Sequence, residues 1–94
     1  MERIWAEVGI WNAGEPALVV MRGFFDENGQ PFDNSPEVLH DVPLAFPDSF
    51  DEKRSDVADL PWGTALNDLG YRAVPGQEFG YSAHAVVFDV ETVG

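Results

Sequence analysis

Residues 3–11 alternate, and that alternation constrains this chain more than any other feature of it. Ile4, Ala6, Val8 and Ile10 fall on one side of an extended backbone, while Trp5, Glu7, Gly9 and Trp11 fall on the other. A period of two held over this length makes an amphipathic strand and is incompatible with an amphipathic helix. Asn12-Ala13-Gly14-Glu15-Pro16 then breaks the pattern with turn residues. A second run, Ala17–Phe25, is apolar on both faces for most of its length. That pattern predicts a central strand covered on both sides, paired with the first run as an antiparallel hairpin.

Beyond the hairpin the signals become local. Asn28-Gly29, inside Asp26–Gln30, predicts a type I′ turn, and Pro31-Phe32 a short return strand kept at an edge by the proline. Ser35-Pro36-Glu37 reads as a helix start, with Ser as N-cap and Pro at the first helical position, and Pro43 limits that helix to a turn or two. Leu44–Pro47 reads as a loop with its apolar side chains tucked inward. Ser49-Phe50-Asp51-Glu52 matches a capping box, and Ser55 offers a competing start for a short helix over 56–60. Trp62, Leu66 and Leu69 stand at helical spacing, and Gly70 sits where a left-handed residue ends a helix, with Tyr71 as its hydrophobic partner.

Residues 71–74 and 79–93 return to strand character around the turn Pro75-Gly76-Gln77-Glu78. Val86, Phe88 and Val90 share a face with His84. The expected fold is α+β: a small antiparallel sheet of four to five strands, with one to three short helices inserted between the N-terminal hairpin and the C-terminal strands. Residues 1–94 make one domain at this length.

Several chemistries are excluded by composition. There is no cysteine, hence no disulfide, no thiolate nucleophile and no Cys-based metal centre. No apolar run approaches the roughly 20 residues of a membrane-spanning helix. Met-Glu-Arg-Ile-Trp lacks the pattern of a signal peptide, so a cytoplasmic location is expected. Glycine-rich phosphate loops are absent and Lys53 is the one lysine, which argues against nucleotide chemistry.

The titratable residues form no catalytic set. His40-Asp41 are neighbours in sequence, and such pairs rarely face each other; His84 stands in an apolar strand. Neither histidine has the spaced partners of a metal motif, and Asp26-Glu27-Asn28-Gly29 lacks the ligand alternation of a calcium loop. The expectation is no enzyme, no metal and no cofactor.

Charge is the outlier. Seventeen acids against five bases give a net charge of −12. Residues 26–68 hold eleven of those acids and two bases, which concentrates the charge there. Such a surface repels nucleic acid and anionic membranes directly, and it favours a basic protein partner. Spaced carboxylates on a scaffold can stand in for a row of phosphates. The candidate contact residues are Asp33, Glu37, Asp41, Asp48, Asp51, Glu52, Asp56 and Asp59, with Trp62 as an aromatic anchor.

In character, though not in any sequence motif, the chain resembles acidic inhibitors of nucleic-acid-processing proteins, the class that includes anti-CRISPR, anti-restriction and nuclease-immunity proteins. That resemblance implies a protein that occupies a basic nucleic-acid-binding groove on a nuclease or DNA-binding complex. Two alternatives stay open: an assembly protein that forms a homodimer through the Trp5/Trp11 strand face, and a small enzyme using His40, His84 and nearby carboxylates.

Overall fold

The structure is a computed structural model that describes residues 2–11, 14–30, 36–51, 59–81 and 85–93. It contains six antiparallel strands: β1 (Glu2–Trp11), β2 (Glu15–Phe24), β3 (Glu37–Pro43), β4 (Tyr71–Ala73), β5 (Gly80–Tyr81) and β6 (Ala85–Thr92). One helix, α1 (Trp62–Asp68), lies between β3 and β4. The sheet order is β3-β2-β1-β6-β4, with β5 pairing β6 on the same side as β4. The α+β expectation is therefore overturned. Among the described residues the chain is predominantly antiparallel sheet, with six strands and one seven-residue helix.

The N-terminal hairpin forms as its alternation requires. Trp11 pairs with Glu15, and Gly14 between them takes φ +85°. Ala6 lies opposite Val20 on one side and Phe88 on the other, while Val8 lies opposite Leu18 and Val86. These six side chains are fully buried, and Leu60, Leu66 and Val90 complete the core. Over residues 2–10 of β1, the buried residues belong to the inner face that the sequence period marks out, apart from Gly9.

The helix expected from Pro36 is instead the strand β3. A helix confined between Pro36 and Pro43 would be about two turns long, too short to hold without packing along its length. Val38 and Val42 favour extended backbone, and the open side of β2 supplies a ladder of hydrogen bonds. A bulge interrupts that ladder: Val20 pairs with His40 but Met21 pairs with Val38, which leaves Leu39 as the extra residue. The turn at Asn28-Gly29 is also displaced by one residue. The Gly29 amide donates to the Asp26 carbonyl, so Glu27 and Asn28 are the central residues and Gly29 follows them at φ +79°. The Asp26 carboxylate accepts from the amides of Asn28 and Gln30, which fixes the turn from inside.

The sheet is strongly curled. β3 and β4 stand at opposite ends of its order, about 19 Å apart if four strand spacings lay flat. Yet the rings of His40 and Tyr71 are 5.8 Å apart, edge to face. The edges thus approach each other over the inner face, and α1 packs into the concavity through Leu66 and Trp62.

The helix ends as its sequence indicates. Leu69 bonds back to Ala65 and Leu66, and the Gly70 amide bonds to Asn67. Gly70 has φ +89°, and its carbonyl accepts from the Val93 amide, tying the helix end to the residue that follows β6. A Cβ at Gly70 would meet nothing within 4 Å, so only the left-handed backbone opposes a side chain there. Gly70→Ala is expected to cost about 1–2 kcal/mol in urea unfolding, and an unchanged midpoint would show that the left-handed cap does not hold in solution.

The final run is not one strand. β5 and β6 are antiparallel partners, with Gly80 opposite Val87 and Tyr81 opposite Val86. Between β4 and β5 the ladder along β6 is broken by Pro75–Glu78, and the side chain of Gln77 fills the break. Its amide nitrogen donates to the carbonyls of Val74 and Asp89, and its oxygen accepts from the Asp89 amide, all at 2.7–2.8 Å. A glutamine side chain here takes the place of a strand peptide.

Of the expected helix over 56–60, Asp59 and Leu60 are described and Leu60 is buried in the core, while residues 56–58 and the expected return strand at Pro31-Phe32 lie outside the described residues. So does His84. No helix among the described residues is long and apolar enough to cross a membrane.

Candidate functional site

Each described cation is engaged in an ion pair across neighbouring strands. Arg22 and Glu37 are directly opposite in the β2–β3 register and meet at 2.7 Å, and Arg72 and Glu91 do the same between β4 and β6. Arg3 reaches diagonally from β1 to Asp89 of β6 at 2.6 Å, and its guanidinium lies 5.6 Å from the Trp5 ring centre. Such pairs are neighbours by sheet geometry. Being open to solvent, such pairs contribute little to stability.

Arg22 is the least ordinary of the three. It projects from the inner face, with Glu37 on one side and the Phe24 ring 5.7 Å from its guanidinium carbon. The hydrogen bond to Glu37, and then that carboxylate's charge, holds Arg22 protonated more firmly than usual. Its Nε is buried and has no hydrogen-bond partner among the described residues.

The candidate contact residues do not form one row. In a regular strand Glu37 and Asp41 would share a face. The bulge places Glu37 opposite Arg22, on the inner face, and Asp41 opposite Val19, on the outer face. Glu37 is thereby taken up by Arg22, while Asp41 remains exposed on the other side. Asp48 and Asp51 are exposed in the segment after β3, near a turn in which the Phe50 amide bonds to the Pro47 carbonyl. Phe50 packs against the core and Phe46 lies on it, ring centres 4.9 Å apart. Asp59 is exposed just before α1. Asp33, Glu52 and Asp56 lie outside the described residues.

Trp62 is placed by packing. Its ring lies 4.6 Å from Phe88 and 5.8 Å from Phe79, at the edge of the core. His40 faces Tyr71 across the concavity. Among the described residues no group of three or more His, Asp or Glu side chains is arranged to hold a metal ion.

The structure brings together one set that sequence reasoning did not. On the outer face a cross-strand row runs Val87, Glu7, Val19, Asp41, and the next runs Asp89, Trp5, Met21, Val38. Carboxylates from β1 and β3 thus flank an apolar side chain of β2. The signal was present in the apolar character of both faces of β2, but the partners of Val19 depend on strand order and register. No family model matches this chain, no curated protein matches its sequence, and no solved structure matches its fold.

Proposed function

We propose that the protein is an acidic binding protein that occupies a basic surface of a nuclease or nucleic-acid-binding complex, in the cytoplasm, and keeps nucleic acid from it. The observation that carries this reading is the fate of the cations. Arg3, Arg22 and Arg72 are each paired with an acid of this chain and form no basic patch among the described residues, and the net charge of −12 acts outward. Asp68 supports it. An acid at the last residue of α1 sits at the negative end of the helix dipole, with no base in that turn to offset it. Charge placed against stability in this way fits a surface under demand from a partner.

The test is affinity capture from a bacterial lysate at low and at high salt, with the retained proteins identified by mass spectrometry. A basic nucleic-acid-binding protein is expected to be held at low salt, released at high salt and displaced by added DNA. An Asp41→Lys, Asp48→Lys double variant is expected to lose it. Retention that survives both high salt and charge reversal would overturn the reading.

A further inference from the structure

The outer face of the sheet does not look like a face meant for water alone. An antiparallel sheet with one solvated side normally alternates apolar-in, polar-out. β2 breaks that rule: Ala17, Val19 and Met21 all project outward, and none of them belongs to the core or to the residues packed on it. Trp5 and Val87 lie beside them on β1 and β6, and Val38 on β3 is 54% exposed. Helix α1 and the segment leading to Phe50 pack on the inner side. On this face the Trp5 ring meets that of Phe25 at 6.0 Å.

The charges around this strip specify what fits it. Glu7 and Asp41 flank Val19 in one row, about 10 Å apart at two strand spacings. Neither has an ion-pair partner among the described residues. The cations of this face among the described residues, Arg3 and Arg72, are held by Asp89 and Glu91, and Arg3 also lies over Trp5. A second copy of the chain would set Glu7 and Asp41 against acids of the same kind, between two bodies each carrying −12. Charge complementarity therefore selects a different occupant.

We propose that the Ala17–Val19–Met21 face of the sheet docks a cationic protein segment with an apolar stripe, its lysines or arginines meeting Glu7 and Asp41 on either side of Val19. This rests on the acidic-binder reading and adds to it the surface and the partner chemistry. It moves the contact from the loop acids to the strands.

Two synthetic peptides of equal positive charge test it on the full chain by fluorescence polarisation: a helical Lys/Leu peptide with one apolar stripe, and a Lys/Gln peptide without one. The Lys/Leu peptide is expected to bind at least about tenfold more tightly, as burial of one or two apolar side chains implies. Val19→Thr and Met21→Gln, each confirmed folded by circular dichroism, are expected to reduce that preference to near unity. Equal binding of both peptides, unaffected by either variant, would overturn the docking face while leaving the acidic-binder reading standing. Failure of both peptides to bind at low salt would overturn the two together. A dimer in light scattering that Val19→Thr dissolves would show that a second copy covers the face, and would overturn the proposal in that way.

Discussion

Phe88→Ala is expected to lower the free energy of unfolding by about 3–5 kcal/mol. Phe88 is 1% exposed and stands in β6 where three parts of the fold meet. Across the sheet it lies opposite Ala6 of β1. Above it are the rings of Trp62 from α1 and Phe79 from the segment before β5, each 4.6 Å away, the latter stacked. Truncation removes the apolar burial and leaves a ring-sized void. Its neighbours are anchored in separate elements, so collapse into the void is restricted. Loss of the aromatic pairs adds about 0.5–1.5 kcal/mol for each pair within that total.

A domain of this length holds about 5–10 kcal/mol in all, so the variant should retain a small margin or none at the growth temperature. Urea unfolding followed by tryptophan fluorescence measures it, because Trp62 reports directly on the affected cluster. Phe46→Ala is the comparison: that ring is 39% exposed and packs on Phe50, so a loss of no more than about 0.5–1.5 kcal/mol is expected. A loss at Phe88 under about 1.5 kcal/mol, the scale of a mild repacking, would mean that the aromatic cluster is not the centre of the core.

The parts of the fold that could be read in the sequence are those where one face alone decides the pattern. β1 and β6 each pair a buried face with a half-exposed one, and their alternation assigned Ala6, Val8, Val86, Phe88 and Val90 to the core. Gly70 could be read because a left-handed residue after a helix has few substitutes. β3 could not. Ser35-Pro36 is a genuine local signal for a helix, and what opposes it is the free side of β2, more than ten residues away in the chain. Local propensity carries no information about that competitor.

The bulge at Leu39 was equally invisible, and its consequence for the site is large. One extra residue reverses the faces of everything before it, so Glu37 and Asp41 pass from one imagined acidic row to opposite sides of the sheet. Charge itself was legible from composition, while its arrangement follows from register. The same holds for Val19, whose apolar character was evident but whose carboxylate neighbours come from two other strands.

Gln77→Glu is expected to destabilise the protein by about 2–3 kcal/mol at neutral pH and to regain part of that loss on acidification. In the wild type the Gln77 amide supplies two donors and one acceptor to the backbone at the break between β4 and β5. A carboxylate keeps the acceptor for the Asp89 amide but turns its second oxygen toward the carbonyls of Val74 and Asp89. Two hydrogen bonds are lost and a charge faces two negative dipoles. The neutral acid is less costly, since its hydroxyl donates to one of those carbonyls. The folded state therefore prefers the protonated form, which raises the folded pKa of the introduced carboxyl above its unfolded value. For a group raised in this way the folded state binds the proton more tightly. Stability relative to wild type then rises as pH falls through the folded pKa, and levels off below the unfolded value near 4.3.

Gln77→Ala removes the same three bonds without adding a titratable group, so its deficit relative to wild type should be independent of pH. Urea unfolding of the three proteins between about pH 7 and pH 4 gives the two differences, with the common titration of the other acids cancelling. A gap between the variants that closes on acidification shows that the side-chain amide serves as the missing strand peptide. A gap that stays flat would mean that the bonds to Asp89 are satisfied by other groups in solution, and that β4 and β5 are held against β6 by their own short ladders alone.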